Sequence, residues 1–339
     1  MNDMFEKLTK KKEELDKYRP LPPEQLKNIE DWLKVELTYS SNAIEGNSLT
    51  RIETAEVIER GITAVISGKP LRDQLEAINH AKAVDYIKDL KVKLKGHQFI
   101  TEADVLAIHK IILTRINDAW AGKYRTIEIF IRGVDVEFPI PSQVPQLMKK
   151  FFHWLNGQQN IHPVRVAANA HFRFVSIHPF VDGNGRTARL LTNLILLLNG
   201  YPMAIVRNEE RIKYLEAIYL GQKKNNLTAF YAIIEEAVDR SLDAYIAAAK
   251  GKSIIPFFIE KEKVKEKNLL QIGKVASLAH VAIPTVRYYI VEGLIKPEAK
   301  SKGGFMLFGL KVVEKIKEIK RLQKEERLSI AEIRGRITS

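Results

Sequence analysis

The sequence predicts a mainly α protein with one short β-hairpin and a basic C-terminal module, and three observations lead there. Apolar residues recur at helical spacing along most of the chain, as Ile29, Leu33, Val35 and Leu37 do within Leu26 to Tyr39. The stretch Tyr124 to Ile140 breaks that rhythm, with β-branched and aromatic residues around Arg132-Gly133, a hairpin signal. Positive charge collects at the end, where residues 251–339 hold 19 Lys and Arg against 10 Asp and Glu, from a net +13 for the whole chain.

Each element follows from local chemistry. After the helix at 26–39, Thr50 and Glu53 form the sequence of a capping box that opens the next helix. Further helical patterns cover 73–90, 102–116, 143–156, 163–175, the run after residue 189, and 226–249. The segment GKSIIPFFIEKEKVKEKN mixes Gly, Pro and charge and reads as a junction. The expected division is therefore an N-terminal helical region (1–99), a core (100–250), a linker (251–268) and a basic domain (269–339).

Composition excludes several classes. With 45% hydrophobic residues in 339, two or three domains can each bury a core, so a disordered chain is ruled out. The absence of cysteine removes disulfides, thiolate metal sites and thiol nucleophiles. The first residues lack the apolar centre of a secretory signal, and LLTNLILLL at 190–198 is far shorter than the ~20 residues of a spanning helix. A cytoplasmic protein without a membrane span is expected. The eight histidines include no HExxH pair, which argues against a metal hydrolase.

The chemistry concentrates in HPFVDGNGRTAR, residues 178–189. Gly183-Asn184-Gly185 lies where a loop enters a helix, so its main-chain N–H groups and the helix dipole can hold an anion such as phosphate. Arg186 and Arg189, three residues apart, share a helix face and can clamp further phosphate oxygens. Asp182 offers the hard oxygen that Mg2+ prefers, and His178 offers an imidazole that can act as a base near pH 7. Together these describe nucleotide phosphoryl chemistry.

That string resembles, without a mismatch, the HxFx(D/E)GNGRxxR signature of Fic-domain proteins, and the resemblance extends over roughly residues 100–245, including GKYRTIEIFIRG and AHFRFVSIHPF. It implies a helical Fic fold with a hairpin flap and transfer of AMP from ATP to a Ser, Thr or Tyr hydroxyl of a protein, its own chain included. By the same resemblance His178 would be the base and Asp182 the ligand of Mg2+ (or Mn2+). Gly183, Asn184 and Gly185 would cradle the phosphates, with Arg186 on the departing pyrophosphate and Arg189 on the γ-phosphate. Phe180 would anchor the loop. The second glycine of the triplet sets the chain apart from the phosphotransferring Doc type.

Upstream, SSNAIEGN at 40–47 resembles the inhibitory (S/T)xxxE(G/N) motif of the same family, with Ser41 and Glu45 one helical turn apart. Glu45 would pair with Arg189 and occupy the cation that the γ-phosphate needs. The same carboxylate could instead position a water for removing AMP from a modified target.

Residues 271–333 resemble the MerR-type winged helix-turn-helix, from QIGKVASLAHVAIPTVRYYIVEGLIKP to LSIAEIRGRI. The resemblance implies DNA contacts by Thr285, Arg287 and Tyr288 from the recognition helix and by Lys302 from a wing built on Lys300 to Phe305. Two departures stand out: His280 replaces the usual turn glycine, and the wing reads GGFMLF where an Arg-Tyr pair is frequent. A helix such as 309–327 would allow a homodimer. The competing expectation is a DNA-binding transcriptional regulator whose core senses nucleotide or removes AMP.

Overall fold

Amphipathic helices need partners for their apolar stripes, and here they find them in two separate units, residues 1–259 and 260–339. The structure, a computed structural model, describes residues 2–64, 66–130, 135–258, 269–300, 306–309, 311–326 and 328–337.

The first unit contains α1 (Asn2–Asp16), α2 (Pro23–Ile44), α3 (Arg51–Arg60), α4 (Leu71–Lys93), α5 (Glu102–Leu113), α6 (Val144–Asn156), α7 (Pro163–Ile177), α8 (Asn184–Leu198), α9 (Arg211–Lys224), α10 (Thr228–Ala249) and the short α11 (Ile255–Phe258). Local signals set their limits. The Thr50 hydroxyl accepts the Glu53 N–H while the Glu53 carboxylate accepts the Thr50 N–H at 2.7 Å, the capping box read from sequence. Thr101 and Asp104 cap α5 in the same way. Helix α8 lies at the centre, with Leu190, Leu191, Leu194 and Ile195 fully buried.

Residues 1–99 are not a body of their own. Leu8, Leu15 and Leu33 enter the same hydrophobic core as Phe174, Leu194 and Phe230, which covers the apolar stripes of α1 and α2. The hairpin segment also differs from its expected form. Its arms, 124–130 and 135–140, form no strand among the described residues, and Arg132-Gly133 lies outside them. An isolated two-stranded ribbon is marginal in water, so the arms depend on other contacts.

The second unit contains β1 (Leu270–Gln271), α12 (Ile272–Leu278), α13 (Ile283–Val291), β2 (Ala299–Lys300), β3 (Met306–Phe308), α14 (Lys311–Glu325) and α15 (Ile330–Ile337). The strands form an antiparallel sheet in the order β1-β3-β2, pairing Leu270 with Phe308 and Ala299 with Leu307. Its core gathers Val275, Val286, Phe308, Ile316, Ile319 and Ile333. His280 has φ +53°, the left-handed conformation for which glycine is the usual choice at that turn. Among the described residues no helix is long and apolar enough to cross a membrane.

Candidate active site

The loop between α7 and α8 is fixed by its own side chains. Asn184 accepts the Phe180 N–H at 2.9 Å and donates to the Phe180 carbonyl at 2.8 Å, closing the turn. Phe180 is fully buried and stacks on His109 with ring centroids 3.5 Å apart. The side chain of Asn184 is thus committed to the loop, and its remaining offer to an anion is its main-chain N–H. Gly183, with φ +77°, caps α8, and the N–H groups of the first turn have no intrahelical acceptor.

His178 ends α7 in the left-handed conformation, φ +50°, a strained choice for a residue with a Cβ. Burial pushes its imidazole down to about 4, outweighing a hydrogen bond to the Val175 backbone, so the ring is neutral at pH 7. Phe138 of the second arm lies 4.5 Å from the ring, centroid to centroid.

Two residues that sequence reasoning left aside tie this loop to its surroundings. Arg125, 2% exposed, donates through Nε to the His178 carbonyl at 2.8 Å and through its terminal nitrogens to Ile127 and Pro139, one carbonyl on each arm. Its main-chain N–H reaches the Pro179 carbonyl at 2.9 Å. His109 accepts the Gly122 N–H at Nδ1 and bonds the Asp182 carbonyl through Nε2 at 3.0 Å, a pattern only the neutral ring can make; burial holds its pKa near about 4. Both come from segments remote in sequence. Arg125 lies at the start of the first arm, and nothing local marks either residue for this role.

The charged residues sort into two groups. Asp182 accepts the Gly183 N–H at 2.6 Å and Arg186 Nη2 at 3.2 Å through Oδ1, and Arg72 Nη2 at 2.8 Å through Oδ2. Burial raises its pKa, but Arg186, Gly183 and Arg72 together hold it below the ordinary value. Arg186 is 2% exposed and faces Glu76 at 3.2 Å, while among the described residues its Nε has no hydrogen-bond partner. A buried donor of that kind needs an external anion or water.

Arg189 forms the second group. Its Nε and Nη2 donate to the Ser41 hydroxyl and carbonyl at 2.9 and 2.8 Å, and Nη2 also reaches Glu45 Oε1 at 2.7 Å. On its other side the hydrogen-bond directions are fixed in series. Thr192 donates to the Ala188 carbonyl, so it accepts from His171 Nδ1; His171 Nε2 accepts from Tyr214, whose oxygen accepts from Arg189 Nη1 at 3.4 Å. A Cβ added at Gly185 would collide with the Glu45 carboxylate, so this carboxylate sits over the Gly183-Asn184-Gly185 turn. Arg186 and Arg189 are therefore neighbours with different partners.

For a metal, the donor set is a single carboxylate, and among the described residues no group of three His, Asp or Glu could hold an ion alone. That set fits Mg2+, which commonly uses one or two carboxylates and takes its other ligands from substrate phosphates and water.

In the second unit, Arg287 and Tyr288 are exposed on α13 and Thr285 is half-buried, whereas Lys302 lies outside the described residues.

The Fic/DOC family profile matches residues 99–196, and the MerR HTH family regulatory protein profile matches residues 270–339. The chain is 33% identical over 261 residues to protein adenylyltransferase Fic of Culex quinquefasciatus, covering 76% of this chain and 51% of that one. It spans about half the length of the curated relatives it matches. Among solved structures it resembles residues 134–508 of Fic-1 from C. elegans, 30% identical with a TM-score of 0.64 over 74% of each chain. It also resembles a Fic domain containing signaling protein from Bacteroides thetaiotaomicron, 29% identical with a TM-score of 0.66, over 73% of this chain and 98% of that one.

Proposed function

Because the chain belongs to the Fic/DOC family, we propose that it is an auto-inhibited protein adenylyltransferase, transferring AMP from ATP to a hydroxyl of a protein, with a C-terminal unit that binds DNA. The observation that carries this reading is a neutral His178 beside an anion-binding turn whose buried Arg186 retains an unmet donor.

In the reaction, the target hydroxyl attacks the α-phosphorus as its proton passes to His178. The bond from that phosphorus to the pyrophosphate oxygen breaks, and pyrophosphate leaves. A base pushed down by burial is unprotonated at pH 7 and can accept the proton directly. In the Gly183-Asn184-Gly185 turn, where the Gly183 N–H is taken by Asp182, the N–H groups of Asn184 and Gly185 together with the Arg186 guanidinium would hold phosphate oxygens as negative charge moves onto the leaving group. Mg2+ (or Mn2+), held at Asp182, would supply further neutralisation of that charge. Arg189 would take the γ-phosphate, but in the resting chain its donors go to Ser41, Glu45 and Tyr214. Glu45 is thus the brake. Arg125, joining both arms to the His178 carbonyl, would keep a docked target segment in line with the base.

A cytoplasmic setting, with ATP at hand, and a basic second unit that reaches DNA through Arg287, Tyr288, Thr285 and Lys302 complete the reading. A homodimer through α14 belongs to it.

The test is incorporation of AMP from ATP labelled at the α-phosphate, with Glu45→Gly and Glu45→Gly/His178→Ala compared in the presence of cell lysate. Label on a protein with the first and loss of about 10²-fold or more with the second support the reading. Equal labelling by the two, or none by either while ATP binds, would defeat it.

A further inference from the structure

Four alternating charges close a ring around the carboxylate assigned to the metal. Arg72 bonds Asp182 Oδ2 at 2.8 Å and Glu76 Oε1 at 3.2 Å; Arg186 lies 3.2 Å from the same Glu76 oxygen and 3.2 Å from Asp182 Oδ1. The members differ in freedom. Arg186 is buried, and Asp182 Oδ1 is held by it and by the Gly183 N–H, whereas the Arg72 side chain is 59% exposed. Asp182 Oδ2 is therefore the oxygen that faces outward, and its partner is the one exposed cation of the ring. Glu76 also accepts from Asn47 Nδ2 at 3.0 Å, two residues beyond Glu45, so the ring is joined to the end of the inhibitory helix.

We infer that Arg72 is a positioning residue for the transfer reaction: it holds Asp182 Oδ2 as a stand-in cation and yields that oxygen to the divalent ion that accompanies ATP. The inference rests on the adenylyltransferase reading. Its logic is electrostatic. One carboxylate oxygen cannot serve a guanidinium and a hard divalent cation at full strength, and two cations side by side repel. Glu76 gives Arg72 a second carboxylate to remain on once Asp182 is taken. The gain in ATP affinity brought by Mg2+ is then smaller than Asp182 alone would allow, and the size of that gain is set from α4, outside the loop.

The experiment measures ATP binding by calorimetry, with and without Mg2+, on the full chain in a Glu45→Gly/His178→Ala background that neither blocks the γ-phosphate nor turns over. The readout is the ratio of the two Kd values. Arg72→Ala should enlarge that ratio about threefold or more, leaving affinity without Mg2+ near its starting value. Arg72→Lys, which keeps the charge, should stay near the parent. A ratio unchanged or reduced in Arg72→Ala would overturn the inference, as would a loss of metal-free ATP affinity, which would make Arg72 a phosphate ligand. Asp182→Asn should abolish the gain; if the gain survives, the ion sits elsewhere and the inference falls. AMP transfer by Glu45→Gly, measured separately, tells failure of the enzymatic reading apart from failure of this one.

Discussion

Arg189 Nη2 and Glu45 Oε1 meet at 2.7 Å across 144 positions of sequence, and the carboxylate that makes this bond fills the space above Gly185. One contact thereby occupies both a cation and a volume at the proposed phosphate site. Ser41 adds two further acceptors to the same guanidinium, so the proposed brake is a cluster of bonds.

The parts of that cluster should be separable. Glu45→Gly restores both cation and space and should raise AMP transfer at least tenfold. Ser41→Ala removes only the Oγ bond, worth about 1 kcal/mol, and leaves the Ser41 carbonyl in place, so release should be partial, about fivefold or less. Initial rates of label incorporation check both; a Ser41 variant as active as the Glu45 variant would mean that Glu45 is not the main obstacle.

Arg125 offers a second test. Arg125→Lys keeps a charge but cannot reach three carbonyls in different directions. In the Glu45→Gly background it should lower transfer to protein about tenfold or more while the Kd for ATP stays within about twofold, since no contact to the phosphate turn is lost. Weakened ATP binding would place its role on the nucleotide side.

Burial sets a pH dependence of stability. His80 and His171 are pushed down to about 3, and His109 and His178 to about 4, from 6.5 in the unfolded chain. Below pH 6.5 the unfolded state binds protons that the folded state refuses, so their contribution is complete above 6.5 and falls as pH drops through it. The loss is about 1.4 kcal/mol per histidine per pH unit until the folded pKa is reached. Urea midpoints from pH 7.5 to 5 should fall, and His80→Gln should flatten that slope by close to one proton. Parallel slopes would show His80 titrating alike in both states.

For the second unit, a gel shift with the full chain should weaken with rising salt, as binding by a basic surface requires. Arg287→Ala should weaken it about tenfold, and Tyr288→Ala should reduce discrimination between sequences more than total affinity. Shifts that resist high salt would count against the DNA assignment.

The legible part of this protein was what neighbours in sequence write together. HPFVDGNGRTAR carries the candidate base, turn and arginines on one stretch, and Ser41 with Glu45 stands out through its resemblance to a family motif, so both could be named before the fold was known. Helix α3 announced itself by its cap, and α5 by its helical pattern. Arg72, Glu76, His109 and Arg125 were not visible, because each reaches the site from another element and acts through the main chain or a charge supplied by the loop. Tyr214 and His171 are hidden for the same reason: their meaning is a hydrogen-bond direction, which exists only once α7, α8 and α9 are side by side. The arms of the hairpin segment show the opposite case, a strong β pattern without a ladder among the described residues, since strand pairing needs more than propensity.

Gly185 places a steric limit on this arrangement. On the proposed reading, the room it leaves is shared by the Glu45 carboxylate and by the substrate's own phosphate, so a mutation that packs the carboxylate more tightly there also taxes the nucleotide. Helix α2 is also anchored at a distance, where Arg51 grips Glu36 at 2.9 Å and Arg211 holds the Ile44 carbonyl at 2.6 Å. Substitutions at those outer anchors of α2 are therefore expected to tune the proposed inhibition without touching the glycine.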